Sequence, residues 1–490
     1  MSRDPDCSIC PFLRDLLRSG RVPDATQARE ARATAAYMAS QVSNLQTRCV
    51  SLVTAQRRIS EVANLHRALL APIRKLPVEL LTEIFLFAAL PESEARWRGA
   101  SHVLAAVCLR WRQVALSTPH LWACIVVIAG SSSLTLWRES VRTRLERSSY
   151  APLTITWKIY GRRAFCSGDP YWDADIWALL CTQAHRWASA HLGGFPSTAF
   201  NAQPRTSFPQ LSTLLLHPIH PGSIGFFANA PNCTVVRLEY ASGSDHLLFP
   251  TRWHLSVLHL HFQAKDRDIF FMRMCMQALA SCSAMLRNCT LYVPPNTVVH
   301  FDPTSTIVAF PRLETLRLDG RAYIAAYNIA APRLVHLAVD GGQSQRTFDS
   351  LSALVGNSGG CSHLQWAGMM RVAVVDEELL ESLTHSPFIT VLDLLVRGGC
   401  QAVLQDDRTS LTHVILQALT RQPGDVESAR FLPRLRTLYL RFEHFANFPE
   451  EQLREEIRQM VHSRRAGGTI ADVHMEPLAN FETDCGGEWP

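Results

Sequence analysis

Three short patterns in this chain carry residue types able to do chemistry. Gly356-Asn357-Ser358-Gly359-Gly360 satisfies G-x-S-x-G, the spacing of a nucleophile elbow, in which a strained strand-to-helix turn lifts a serine hydroxyl clear of its neighbours. That geometry needs a strand before the serine and a helix after it. Here the order is reversed, because residues 348–355 pattern as a helix and Leu364 opens the next strand. Turn chemistry accounts for the same glycines and serine. Cys7-Ser8-Ile9-Cys10 has the spacing of half a zinc site, but a closed tetrahedral site takes two more ligands, ordinarily a second close pair. The next candidates, Cys49 and His66, stand singly on a helical stretch. His259 and His261 alternate along one strand face, too few donors for a metal centre. P-loop, dinucleotide fingerprint and H-E-x-x-H are all missing. The expectation is a non-catalytic chain with no cofactor and no metal.

Composition narrows the remaining classes. The chain has 490 residues, 47% of them apolar and 19% charged, which supplies a large core and excludes a disordered protein. A net charge of +5, with no like-charge run and no basic-aromatic interleaving, argues against a nucleic-acid surface. The longest apolar run, residues 121–129, is too short to span a bilayer, and the first residues lack the apolar segment of a signal peptide. With 14 cysteines scattered singly apart from Cys7 and Cys10, a reducing cytoplasmic or nuclear setting is expected. Only Lys75, Lys158 and Lys265 are lysines; every other basic residue is arginine.

Five segments organise the chain. Residues 1–25 form a proline-interrupted irregular tail. Residues 26–72 read as a helix, with Asp24 or Thr26 as its cap. Along it Leu45, Cys49, Leu52, Gln56, Ile59, Ala63, His66 and Leu70 alternate at spacings of four and three, the seam of a coiled coil. A single helix or a helical hairpin fits, packed on a neighbouring domain or self-associating. Residues 73–123 form a helical block. Its first helix starts at Pro77, with Glu79 in the first turn. That helix is over-apolar for a surface helix, because Val78, Leu80, Leu81, Ile84, Phe85, Leu86, Phe87 and Leu90 cannot share one stripe. A loop at 91–101 leads to a second helix carrying Val103, Leu104, Val107, Cys108, Trp111, Val114 and Ala115, and Leu121-Trp122 closes the block. Residues 466–490 are read as a C-terminal tail.

Between lies residues 124–465, which open with strand-like 125–128, an arginine-rich helix at 134–147 and a strand at 153–157. A motif then recurs, mostly introduced by proline: F-P-Q-L-S-T-L-L-L from Phe208, A-P-N-C-T-V-V-R-L from Ala230, F-P-R-L-E-T-L-R-L from Phe310, A-P-R-L-V-H-L-A-V from Ala331 and L-P-R-L-R-T-L-Y-L from Leu432. Anchored on the first apolar position of L-x-x-L-x-L, the copies start at Leu211, Cys233, Leu255, Leu286, Leu313, Leu334, Leu364, Ile389, Leu411 and Leu435. This period, interrupted by insertions, is that of leucine-rich repeats. Alternate residues such as Leu316 and Leu318 should stack inward, and Arg317 should face outward on a concave surface. The expected fold class is α/β: an N-terminal helical segment and an all-α block followed by an irregular leucine-rich-repeat solenoid.

The helical block resembles the F-box motif. L-P-V-E-L-L-T-E-I-F from Leu76, V-L-A-A-V-C-L-R-W-R-Q-V-A from Val103 and P-H-L-W from Pro119 follow the familiar order L-P-x-E-[IL]-L-x-x-I-F, V-C-x-x-W and L-W. The resemblance covers about 50 of 490 residues. The preceding heptad helix, the L-x-R-S-x-x-x-P-L-x-[IL] segment at 145–155 and the irregular repeats are similar to F-box proteins of mushroom-forming fungi. The resemblance implies a subunit that binds a Skp-type adaptor and, through it, a cullin, while another domain recruits an unknown protein substrate for ubiquitination. It places Leu76, Pro77, Glu79 and Leu80 at or near the adaptor. Ile84, Phe85, Val107, Cys108 and Trp111 would form or flank the small helical core, and Leu121 and Trp122 would close it. The substrate face would include Arg237, Glu239, His259, His261, Arg317, Asp319, His336, Asp340, Asp393, Tyr439 and Arg441. The alternatives are a non-degradative scaffold and a repeat-based interaction module.

Overall fold

The structure, a computed structural model, describes residues 18, 22–89, 100–129, 134–159, 173–194, 198–201, 206–219, 223–241, 247–263, 269–300, 306–340, 346–372, 380, 383–397, 411–443, 450–470 and 472–483. It is a mixed α/β protein with a long N-terminal helix and a large parallel sheet. Two compact units divide at residues 84 and 85.

The first unit is dominated by α1 (Ala25–Leu70), one continuous helix of 46 residues. Asp24 is its N-cap: its carboxylate accepts from the backbone N–H of Thr26 and Gln27, and the Gln27 side chain accepts from the Asp24 N–H. This reciprocal capping box satisfies donors that every helix start leaves orphaned. None of its residues is buried. The hairpin alternative is therefore replaced by a single helix, and the seam residues Leu45, Leu52, Ile59 and Leu70 are all more than half exposed. A 3-10 turn at Pro72–Lys75 leads to α2 (Val78–Ala88). Pro77 sits just before the first helical residue, its carbonyl accepting from the Leu81 N–H.

In the second unit the single helix expected over 103–115 is two: α3 (Ala100–Val107) and α4 (Leu109–Leu116). Cys108 breaks them apart. Its backbone is extended (φ −160°, ψ 171°), and its sulfur accepts from the Trp111 N–H, so it caps α4 instead of continuing α3.

Thirteen strands then form one sheet in which neighbours in sequence are neighbours in space. They are β1 (Cys124–Ala129), β2 (Leu153–Ile159), β3 (Trp187–Gly193), β4 (Thr213–Ile219), β5 (Val235–Ala241), β6 (Val257–Gln263), β7 (Asn288–Val293), β8 (Thr315–Gly320), β9 (His336–Asp340), β10 (Trp366–Val372), β11 (Val391–Arg397), β12 (Thr437–Glu443) and β13 (Asn480–Thr483). All their pairings are parallel. The helices α5 (Leu134–Arg147), α6 (Ala174–Cys181), α7 (Met272–Cys282), α8 (Arg346–Asn357), α9 (Leu411–Leu419) and α10 (Glu450–Arg465) lie in the connections.

The proline motif explains the regularity. In Phe208-Pro209-Gln210-Leu211 the Leu211 N–H donates to the Phe208 carbonyl, a β-turn with proline at the position whose φ it presets. The same bond recurs from Cys233 to Ala230, Leu313 to Phe310, Leu334 to Ala331 and Leu435 to Leu432. Each strand begins two residues after the anchor, and anchors Leu211, Cys233, Leu286, Leu313, Leu334, Ile389 and Leu435 are fully buried. Alternate strand residues then lie in cross-strand register on the buried face: Leu258, Cys289, Leu316 and Leu337 in one row, Leu260, Leu291, Leu318 and Val339 in the next. Helical Trp177, Met276, Leu354, Leu416 and Ile457 belong to the same core. Each such side chain contributes about 1.5–3 kcal/mol by leaving water.

One anchor fails. Leu411 starts α9, not a strand, because L-T-H-V-I-L-Q-A-L repeats its apolar residues at helical spacing as well as at the spacing L-x-x-L. Conversely, β3 joins the sheet without a leucine anchor, Trp187 filling the anchor's place, and the described part of the segment read as a tail contributes β13 alongside β12.

Nine cysteines among the described residues are free. Burial pushes the thiols of Cys124, Cys181, Cys233, Cys275 and Cys282 up to about 12, and that of Cys289 well above its ordinary value. A folded pKa above the unfolded value, near 9, means that stability is full below pH ~9 and is lost as pH rises from there toward 12. Urea unfolding at pH 8 and pH 10.5 should show this loss, and Cys289→Ala should flatten the slope. A pH-independent midpoint across that interval contradicts it.

Candidate functional site

In the helical block the side chains sort cleanly into inside and outside. Phe85 is fully buried, its ring 4.8 Å from that of half-buried Trp111. Leu121 and Trp122 are buried, and the Trp122 indole N–H donates to the Ala115 carbonyl at 2.8 Å. Cys108 is half-buried at the α3–α4 break. On α2, Leu81 is buried, whereas Val78, Leu80, Ile84 and Phe87 are 47%, 53%, 42% and 73% exposed. Pro77 and Glu79 are exposed and Leu76 is half-buried. Within the second unit, Val103, Val107, Leu109 and Leu116 of α3 and α4 are also exposed. In each unit taken by itself, large apolar side chains left in water at this density mark a surface built to be covered.

A basic cluster accompanies them that the sequence reading did not single out. Trp122 organises it: the Arg147 guanidinium lies 4.4 Å above its ring, and the His102 ring meets it edge-on at 5.1 Å. Buried Arg144 donates to the Cys124 carbonyl. Burial, then the charges of Arg144 and Arg147, lower the His102 pKa, which keeps the imidazole neutral at pH 7. No spacing rule flags this group, since its members come from α3 and α5.

The unburied face of the sheet gathers most of the second set of residues. Arg237 and Glu239 on β5 pair in register with His259 and His261 on β6, which face Thr290 and Tyr292 on β7. Arg317 and Asp319 follow on β8, and Asp319 is opposite Asp340 on β9. The Glu239 carboxylate contacts His217 of β4 and lies 4.0 Å from His261, whose ring is 4.1 Å from Tyr292. Burial and then Arg237 lower the His259 pKa. Arg317 donates to both Asp319 oxygens, and Arg441 to both oxygens of buried Asp393. His336 sits in the row of Thr315, nearer the strand starts, and Tyr439 pairs with Asp393. His217 and Tyr292 are the additions that the sequence reading lacked. Their alternation was readable, but their cross-strand neighbours were not.

The three chemical patterns resolve differently. Ser358 follows the end of α8, where its hydroxyl accepts from the buried Ala331 N–H at 2.8 Å. Gly359 and Gly360 adopt positive φ, and the Gly360 N–H returns to the Val355 carbonyl, a helix-ending turn. Cys7 and Cys10 lie outside the described residues. Among the described residues no three His, Cys, Asp or Glu side chains are grouped to hold a metal ion, and no helix is long and apolar enough to cross a membrane. No protein-family model matches the chain, and no curated protein matches it in sequence.

Proposed function

We propose that this chain is the substrate-recognition subunit of a Skp–cullin–F-box ubiquitin ligase. Residues 73–123 are the F-box that binds the Skp-type adaptor, and the parallel sheet is an irregular leucine-rich-repeat solenoid whose unburied face receives a protein target. The chain then works as a bridge, in the cytoplasm or nucleus, and performs no bond chemistry itself. The observation that carries this reading is the split within α2. Leu81 and Phe85 of the motif L-P-V-E-L-L-T-E-I-F are buried, while Val78, Leu80, Ile84 and Phe87 remain in water. A motif that serves only its own core has no reason to leave the second group exposed.

The test is co-purification. The wild-type chain is expected to bring down adaptor and cullin together. Changing Leu76 and Pro77 to Ala together should weaken adaptor binding at least about tenfold, since each removes apolar contact worth roughly 1–2 kcal/mol. Neither change touches the Leu81-to-Pro77 backbone bond that starts α2. Adaptor without cullin would favour a non-degradative scaffold. Neither protein would leave a repeat-based interaction module, with self-association through α1 as its remaining contact, whereas full adaptor affinity in the double variant would overturn the placement of the adaptor at Leu76 and Pro77.

A further inference from the structure

A second binding feature lies beside the exposed apolar side chains of α3 and α4. His102, Ala105, Ala106, Arg112, Leu116 and Arg147 line a cavity of about 210 Å³. Three of the six are basic, and no carboxylate is among the described residues that line it. Arg112 is held in place by its Nε–H, which donates to the Ala105 carbonyl at 2.9 Å. Arg147 is held by the Trp122 ring beneath it. Both guanidiniums are thus preorganised by contacts, a carbonyl and an aromatic ring, that do not neutralise their positive charge, which is how proteins present arginine to an anion. The remaining wall is aliphatic, from Ala105, Ala106 and Leu116.

We infer that this cavity is an acid-binding pocket that receives the carboxylate side chain of an Asp or Glu on the partner covering Val103, Val107 and Leu109. The inference rests on the adaptor reading above and adds the chemistry of the partner's surface: an apolar patch with an acidic side chain beside it. The aliphatic wall takes the methylene stem, and Arg112 and Arg147 meet the carboxylate. His102, neutral in the unbound chain, would gain a proton more readily once an anion sits opposite it. The apolar contacts supply affinity, and the buried acid sets orientation, since a misplaced partner would leave two arginines covered and unpaired.

The experiment uses the full chain and a recombinant Skp-type adaptor, with affinity read by calorimetry at two salt concentrations. Arg112→Glu is expected to weaken binding about tenfold or more and to reduce its salt dependence, while Arg112→Lys should retain most of the affinity. An Asp or Glu→Lys change in the adaptor that restores binding to Arg112→Glu identifies the occupant and shows that the variant is folded. The His102 ring, followed by NMR, should titrate at higher pH in the complex than alone. If the wild-type chain binds the adaptor and Arg112→Glu binds equally well, the pocket is overturned and the adaptor reading stands. If the wild-type chain fails to bind the adaptor, both fall.

Discussion

Arg464→Met is expected to lower the stability of the C-terminal end of the sheet by about 3–5 kcal/mol, since it removes three charge-assisted hydrogen bonds worth about 1.5–3 kcal/mol each, offset in part by the lifted cost of burying the guanidinium. Arg464 is fully buried at the end of α10. Its guanidinium donates to the carbonyls of Leu419, Phe431 and Leu432. Leu419 ends α9, where carbonyls lack helical partners and the dipole is negative. Phe431 and Leu432 belong to the turn that launches β12. One side chain therefore ties two connections to the last pair of strands. Burial, then the neighbouring charge of Arg421, lowers its pKa to about 9, so it remains charged at neutral pH. Arg421 serves the same region, donating to the carbonyls of Ala466, Pro433 and Glu476. Methionine would fill much of the volume but remove the guanidinium donors from the Leu419 and Phe431 carbonyls and leave the Leu432 carbonyl with only its turn bond from Leu435. Lysine would keep the charge without the planar fork, so Arg464→Lys should fall between the two. In a sequential array such damage stays local. Amide exchange should therefore accelerate in β12 and β13 and leave β4–β6 unchanged. Uniform protection in Arg464→Met would refute this role.

That arginine also shows why part of the fold was not readable beforehand. An arginine near the end of a charged helix ordinarily reads as solvated, and nothing local in H-S-R-R says that Arg464 points inward while Arg465 is exposed. The proline turns were legible because one short motif carries several instructions at once: proline for the turn, an anchor for the core, and alternation for the strand. Where one instruction was missing, reading failed. β3 has Ala190 where its neighbour has Leu214, and Trp187 in the place of a leucine anchor, and residues 411–419 offer apolar spacing that suits a helix equally well. In the helical block, the buried Phe85 and Trp122 were legible as motif positions. The cavity beside Trp122 was not, since His102, Arg112 and Arg147 converge only once α3, α4 and α5 are placed. The sheet face lay between these cases. Alternation predicted which side Arg317 and Asp319 occupy, but contacts such as Glu239 with His217 depend on register between strands.

Gly320→Ala should be as disruptive in the middle of the sheet as Arg464→Met is at its end, at about 4 kcal/mol or more. Gly320 ends β8 opposite Val293 of β7, with φ 65° and ψ −127°, a conformation that residues with a Cβ essentially avoid. A Cβ placed there would lie 1.9 Å from the Val293 carbonyl oxygen and 3.0 Å from its carbon. The obstacle is backbone already engaged in the sheet, so no rotamer change relieves it. The chain must shift either β7 against β8 or the 3-10 segment Arg321–Asn328, whose Ala322, Ala325 and Ala326 are fully buried. Either shift would also disturb Asp319, one residue away, and with it the Arg317 pair on the unburied face. If the unburied face receives a target as proposed, its binding is expected to fall together with stability, although Gly320 is buried. Gly356→Ala is the matched control. Gly356 lies within α8 with nothing inside 4 Å of the added carbon, and alanine is the better helix former by about 1 kcal/mol. Denaturant unfolding should therefore move in opposite directions for the two variants. If Gly320→Ala stays within about 1 kcal/mol of wild type, the close approach of β7 and β8 at Val293 is wrong, and so is the register that aligns Asp319 with Tyr292 and Asp340.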